Sequence, residues 1–202
     1  MPSLAPSEGG AVEGTVPTGR GGWLVSTDVA FLRAVNVAGH GAVAMPALVE
    51  LFESLGHSDV TTLAQSGNVV FTPAAGSRRG LAAAVEQALA TELGLPVRVL
   101  LRSRAELQRV AAANPFLGTE DHLANLHVMF LADRPTAAAV ATVDPARSPP
   151  DELAVAGREV YLRYPNGSGR SKLNGAYLER QLGTHGTARN WNTLIKVLDR
   201  LG

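Results

Sequence analysis

The stretch from Val60 to Thr72, VTTLAQSGNVVFT, predicts two short strands joined by a tight turn. The strand candidates are 60–65 and 68–72, and both are rich in β-branched residues. Between them lies the dipeptide Ser66-Gly67, whose glycine can take the positive φ that a tight hairpin requires. The two strands should therefore pair antiparallel.

The segments on either side of the hairpin have the spacing of amphipathic helices. Before it, apolar residues recur at i, i+3, i+4 and i+7 up to Gly56, and after it they recur every four residues up to Gly94. A buried strand that opens at Val29 and runs to Val37, and another over 97–101, complete the order βαββαβ. The helical positions are Leu48, Leu51, Phe52 and Leu55 in the first helix and Leu81, Val85, Leu89 and Leu93 in the second.

The same order recurs later in the chain. Ser103 and Glu106 form a capping box that opens a connecting helix, which should end at Asn114-Pro115. Beyond it the pattern predicts a strand, a helix, a hairpin that turns at Gly157-Arg158, a helix that ends at Gly183, a short strand and a final helix. In order, these segments are 126–131, 135–143, 153–156 with 160–164, 173–182, 187–189 and 191–198.

Two βαββαβ runs predict an α+β protein of two ferredoxin-like halves with antiparallel sheets, joined by a helix and followed by a C-terminal helix. The Pro- and Gly-rich residues 1–25 are predicted to be a disordered leader. The first half spans 26–102, the connecting helix and loop 103–125, and the second half 126–202. Each sheet has an open face, which should meet the other half or a ligand.

The composition excludes several classes of protein. The chain has 202 residues, 18 basic and 18 acidic residues, and no cysteine. A balanced charge argues against a surface built for nucleic acid or an anionic membrane, and the absence of cysteine excludes disulfides and thiolate metal sites. No apolar run is long enough to cross a bilayer, and no secretory signal is present, so we expect a cytoplasmic protein. The five histidines lack ligand spacing, and we predict neither a metal nor a cofactor.

The strongest candidate site is a glycine-rich turn between a strand and a helix, in which Asn166, Arg170, Ser171 and Lys172 lie. Backbone amides at a helix start can hold an anion. Cations at that end oppose the helix dipole, so Arg170 and Lys172 lie at the wrong end of the helix for stability and at the right end for binding phosphate, sulfate or carboxylate. Solvated side chains or ion pairs explain the same residues equally well.

Two further groups of polar residues carry weaker signals. Asn190 is a candidate N-cap for the last helix, and Trp191 begins its apolar stripe. These structural roles do not explain Arg189, whose guanidinium is suited to binding a carboxylate or phosphate. The other group lies at the end of the first strand and around the tight hairpin, where turn formation is the competing explanation. Its members are Arg33, Asn36, Gln65, Ser66 and Asn68.

Taken together, five ordered motifs resemble the domain-of-unknown-function 1697 family from about residue 27 to the C-terminus. The resemblance implies a bacterial, soluble protein of two ferredoxin-like halves whose biochemical role is not established. The chain departs from the family pattern at Ala34, Ala38, Ala42, Ala44 and Leu63, which leaves Arg170, Lys172 and Arg189 as the safer candidates. The motifs are FLRAVNV (31–37), QSGNVVF (65–71), NPF (114–116), YPNG with GRSKL (164–167 and 169–173) and RNWNT (189–193).

Three hypotheses of function follow. The first is a binding module that takes a small anionic or phosphate-bearing molecule in a cleft between the halves. The second is a cofactor-independent enzyme that acts on a small metabolite, although no nucleophile identifies itself. The third, single-stranded nucleic-acid binding, ranks last because only 5% of the residues are aromatic. The oligomeric state is left open.

Overall fold

The structure, a computed structural model, describes residues 27–35, 43–63, 67–75, 78–119 and 122–202. The predicted leader, 1–25, lies outside these residues. The first half contains β1 (Asp28–Leu32), α1 (Met45–Ser54), β2 (Ser58–Leu63), β3 (Asn68–Thr72), α2 (Leu81–Glu92) and β4 (Val99–Ser103), and α3 (Arg104–Ala112) follows it. The second half contains β5 (Leu126–Leu131), α4 (Ala137–Ala141), β6 (Glu152–Ala156), β7 (Glu159–Arg163), α5 (Gly175–Leu182), β8 (Gly186–Asn190) and α6 (Trp191–Arg200).

Each half forms a four-stranded sheet in which all neighbouring strands are antiparallel. The order is β2-β3-β1-β4 in the first sheet and β6-β7-β5-β8 in the second. Both sheets have the split-βαβ arrangement, since β1 lies between β3 and β4 just as β5 lies between β7 and β8. The predicted α+β class and the duplication are confirmed.

The central strands are buried on both faces, and their residues alternate between two cores. In β1, Ala30 and Leu32 pack under α1 and α2, whereas Val29 and Phe31 face the second half. In β5, Met129 and Leu131 pack against the helices of the second half. The open faces of the two sheets therefore pack on each other, which removes their apolar residues from water and leaves neither face free for bases to stack on.

Local signals in the sequence place several element ends correctly. The capping box is present: the Ser103 side chain accepts from the Glu106 amide, and the Glu106 side chain accepts from the Ser103 amide. Gly56, Gly94 and Gly183 follow α1, α2 and α5 with positive φ. Asn190 caps α6 by accepting a hydrogen bond from the Asn192 amide.

Two element predictions are wrong. The first strand ends at Leu32 and does not continue to Val37, because Arg33 and Ala34 form a turn in which Ala34 has a φ of +56°. Glycine adopts this φ without strain, whereas the Cβ atom of Ala34 makes it costly. The helix predicted to start at the glycine-rich turn starts later: residues 168–170 form a 3₁₀ turn, and α5 begins at Gly175 after the cap Asn174.

Replacing Gly67 by alanine should lower the free energy of unfolding by more than the same change at Gly94. Both glycines have positive φ, at +67° and +63°, which costs a residue with a side chain about 1–2 kcal/mol. A Cβ atom at position 67 would also lie 2.9 Å from the Cβ of Leu32, whereas one at position 94 would meet nothing within 4 Å. Chemical denaturation of the two variants measures the difference, and equal losses would show that the hairpin tolerates the added methyl group.

Candidate functional site

Two buried arginines occupy equivalent positions in the two sheets. Arg102 of β4 is paired with Val29 of β1, and Arg189 of β8 is paired with Val128 of β5. Each side chain crosses to the opposite half. Because a guanidinium has five N–H donors, each arginine can bridge several backbone and side-chain acceptors at once.

Arg189 is only 7% exposed, and it binds acceptors in the first half. Its Nη2 donates to the carbonyl oxygen of Leu32 at 2.9 Å, and its Nε donates to the Oδ1 of Asn68. The guanidinium also lies over the ring of Phe31, 5.1 Å from the ring centroid. Burial lowers the pKa of Arg189 to about 10, so the side chain stays charged at neutral pH.

Arg102 makes the corresponding contacts with the second half. It is 1% exposed, its Nη2 donates to the carbonyl oxygen of Leu131 at 2.8 Å, and its guanidinium lies 5.3 Å from the centroid of Phe130. Its Nε donates to the carboxylate of Glu159 at 3.1 Å. Burial, assisted by the nearby charge of Arg158, lowers the pKa of Arg102. The two arginines are clamps that hold the halves together, and Arg189 has this structural role.

The remaining residues around the first strand have structural partners where they are described. Asn68 is fully buried, accepts from Arg189 and donates to the carbonyl oxygen of Leu63 at 2.9 Å. Arg33 forms a two-pronged ion pair with Glu179, at 2.9 and 2.8 Å. Trp191 is buried in the core between the halves. Asn36, Gln65 and Ser66 lie outside the described residues.

The glycine-rich turn borders a surface depression of about 590 Å³ within the second half. Asn166, Arg170 and Ser171 line it, opposite the segment 148–151, and Asp151 contributes a carboxylate to the same lining. The backbone amide of Lys172 donates to the Ser148 hydroxyl at 3.1 Å. The structure therefore places Arg170 beside a concavity, but it does not bring this turn together with Arg189, which contacts the first half.

A second depression, which we call the arginine groove, has a volume of about 440 Å³ and lies between α3 and the β6–β7 hairpin. It joins the connecting helix to the second half. Three arginines and two glutamates provide its charge. Its lining residues are Glu106, Arg109, Val110, Ala113, Arg134, Ala156, Gly157, Arg158, Glu159 and Tyr161.

The carboxylates of the arginine groove are already paired. Glu106 binds Arg158 at 2.8 Å, and Glu159 binds the buried Arg102. Burial acts to raise the pKa of Glu106, but hydrogen bonds from Ser103 and the charges of Arg78 and Arg102 outweigh it, so the pKa is lowered and the group stays ionised. The Tyr161 hydroxyl donates to the Val110 carbonyl, and burial raises its pKa to about 12, which keeps it neutral.

Arg109 and Arg134 differ from the other charged residues of the groove. Both are exposed, and within the described part of the chain neither side chain forms a hydrogen bond or an ion pair. The groove thus carries two guanidinium groups that are available to an incoming anion. Sequence analysis missed this site because its arginines come from three separate segments, and no spacing along the chain connects them.

The described residues contain neither a candidate membrane-spanning helix nor a candidate metal-binding cluster. None of the helices in the described ranges has the length and apolar character needed to cross a bilayer. No group of three or more histidine, aspartate or glutamate side chains in those ranges is placed to hold a metal ion.

The fold and its depressions define a class: a duplicated α+β protein whose halves are locked face to face and whose clefts lie at the edges. A family model described as "Protein of unknown function (DUF1697)" matches residues 25–161, and the chain belongs to this family. A search of curated proteins found no match. The chain is similar in fold to the solved structure of the conserved bacterial protein SP0830 from Streptococcus pneumoniae, at 22% identity and a TM-score of 0.67, over 88% of this chain and 99% of that one.

Proposed function

We propose that this protein binds a small anionic or phosphate-bearing molecule in the arginine groove, at the junction between its halves. The observation that carries this proposal is the pair of unpartnered guanidinium groups at Arg109 and Arg134 beside a concavity of about 440 Å³. Guanidinium groups match the oxygens of carboxylates and phosphates in a planar, two-pronged geometry.

The surrounding contacts support a preformed site. Arg158 is held by Glu106, which is itself held by the capping box at the start of α3. On the opposite side, Glu159 is held by the buried clamp Arg102. The walls of the groove are therefore fixed before a ligand arrives, which reduces the ordering cost of binding. At the sheet-to-sheet interface, by contrast, the rings of Phe31 and Phe130 stack with their centroids 4.6 Å apart.

Replacing Arg109 and Arg134 together by alanine should weaken ligand binding by about tenfold for each arginine that contacts the anion. Isothermal titration against a panel of phosphorylated metabolites, nucleotides and dicarboxylates, at constant ionic strength, measures the effect. The matched control is the double variant Arg170→Ala with Lys172→Ala, which removes the same charge from the glycine-rich turn.

The two double variants separate the two locations. Loss of affinity only in the Arg109 and Arg134 variant supports the arginine groove. Loss only in the Arg170 and Lys172 variant would overturn the proposal and place the ligand at the glycine-rich turn. Thermal unfolding of both variants checks that α3, in whose last turn Arg109 lies, is intact.

A further inference from the structure

A third depression, which we call the histidine pocket, lies in the first half and has a volume of about 310 Å³. It lies where the residues before β2 meet the end of β3 and the start of α2. Two arginines and one histidine line it together with small apolar residues, and none of the described lining residues has a carboxylate. The lining residues are His57, Pro73, Ala74, Ala75, Arg78, Arg79, Gly80, Leu81 and Ala84.

His57 presents a hydrogen-bond donor that has no partner. The side chain is 8% exposed and packs against the rings of Phe52 and Phe71. Its Nδ1 accepts a hydrogen bond from the Ala74 amide at 3.1 Å, so in the neutral ring the proton lies on Nε2. Nε2 is buried without a hydrogen-bond partner. Burial lowers the pKa of His57, which favours this neutral, donating form. An unsatisfied buried donor is costly, and a ligand in the pocket that His57 lines would supply an acceptor after a small movement of the ring.

The same pocket lies at the start of α2, a helix of 12 residues that has no side-chain cap. Its N-cap is Gly80, with a φ of +79°, and the first-turn amides of Ala82 and Ala83 have no acceptor within the helix. These amides and the positive end of the helix dipole attract an anion. The start of α5 in the second half differs, because the Asn174 side chain caps it by accepting from the Tyr177 amide at 3.0 Å.

The charged residues in the described lining of the histidine pocket are Arg78 and Arg79. Arg78 is held by ion pairs with the buried Asp28, at 2.8 Å, and with Glu106, at 3.5 Å. Asp28 is fully buried and is not part of the lining. The equivalent depression in the second half contains Asp151, whose carboxylate would repel an anion.

We propose that the histidine pocket is a second anion site, independent of the arginine groove, which takes the phosphate group of a small molecule. The Nε2–H of His57 and the amides at the start of α2 donate hydrogen bonds to the phosphate oxygens, and Arg78 and Arg79 supply the positive charge. The apolar residues Pro73, Ala74 and Leu81 fit a ligand whose remaining body is small and uncharged.

The test is a titration of the full chain with inorganic phosphate at constant ionic strength. The amide chemical shifts of Ala82 and Ala83 in ¹⁵N–¹H correlation spectra measure the binding. We expect saturable shifts at both amides. His57→Leu and Arg79→Gln should each weaken this binding about tenfold, the effect of losing one hydrogen bond to a charged group. If His57→Leu does not fold because the Ala74 amide loses its acceptor, the affinity of Arg79→Gln for phosphate is the test of the histidine pocket.

Three outcomes would overturn the inference. The first is an absence of saturable shifts at Ala82 and Ala83. The second is the same affinity at these amides in the wild type and in each folded variant. The third is loss of the shifts in the Arg109→Ala, Arg134→Ala variant, which would mean that the two sites are not independent. Retention of the shifts in that variant, with loss in Arg79→Gln, supports the inference whether or not the arginine groove binds a ligand.

Discussion

Replacing Arg189 by alanine is expected to lower the free energy of unfolding by about 3–5 kcal/mol, a large part of the roughly 5–15 kcal/mol that stabilises a typical small protein. The guanidinium donates to the Leu32 carbonyl and the Asn68 amide oxygen in a site that water does not reach. Each buried acceptor left without a donor costs roughly 1–3 kcal/mol, and the vacated volume adds to the loss. Denaturant unfolding measures the change.

The control for this prediction is Arg98→Ala. Arg98 also pairs with a carboxylate, that of Glu86, but its side chain is 64% exposed. Solvent screens such a pair, so the loss should stay below about 1 kcal/mol. A similarly small loss for Arg189→Ala would contradict the clamp and would reopen a ligand-binding role for Arg189.

Replacing Phe130 by alanine is expected to cost about 3–5 kcal/mol as well. Phe130 is fully buried, and its ring stacks on that of Phe31 with centroids 4.6 Å apart and an angle of 16° between the planes. The change leaves a cavity between the two sheets and removes the ring on which the Arg102 guanidinium lies. Calorimetry and denaturant unfolding report the loss.

A double-mutant cycle with Phe31→Ala isolates the contact between the halves. The coupling energy should be about 0.5–1.5 kcal/mol, the usual value for an aromatic pair. Leu123→Ala is the control, because Leu123 is 41% exposed and its loss should change stability by about 0.5 kcal/mol or less. Additive effects of the two phenylalanine substitutions would show that the halves do not depend on this stack.

The clamps and the stack explain where ligands can bind. Arg102 and Arg189 each extend from an edge strand of one sheet and donate to the carbonyl at the end of a central strand in the other sheet. The same contact therefore occurs twice, once in each direction. The open faces of the two sheets are buried in this interface. The arginine groove lies at its margin, and the histidine pocket and the depression beside the glycine-rich turn lie at turns between strands and helices. Both proposed sites therefore lie outside the contact between the two sheets.

Much of the fold was predictable because its signals are local. The antiparallel pairing of β2 with β3, the positive φ of Gly67 and the capping box of Ser103 and Glu106 depend on residues within a few positions of one another. The 3₁₀ turn at 168–170 was not predicted, because glycine and serine there are compatible with several backbone paths. The start of α5 is set instead by the cap at Asn174.

The candidate sites were less predictable, because a side chain's role depends on what lies opposite it. Arg189 has the same chemistry whether it binds a phosphate or a carbonyl of its own protein, and only the contact with Leu32, 157 positions away, decides between them. Arg109 and Arg134 gave no signal, since their meeting in one groove requires the second half to pack on α3.

The sequence by itself determined the order of helices and strands, the duplication and the ends of several helices, because hydrogen bonds and apolar periodicity act between near neighbours. Only the tertiary structure decided which charged groups are buried clamps and which stay available to a ligand. The physical reason is that burial and pairing depend on groups brought together from distant parts of the chain. Burial sets the free-energy cost of leaving a charge or a donor without a partner, and pairing removes that cost.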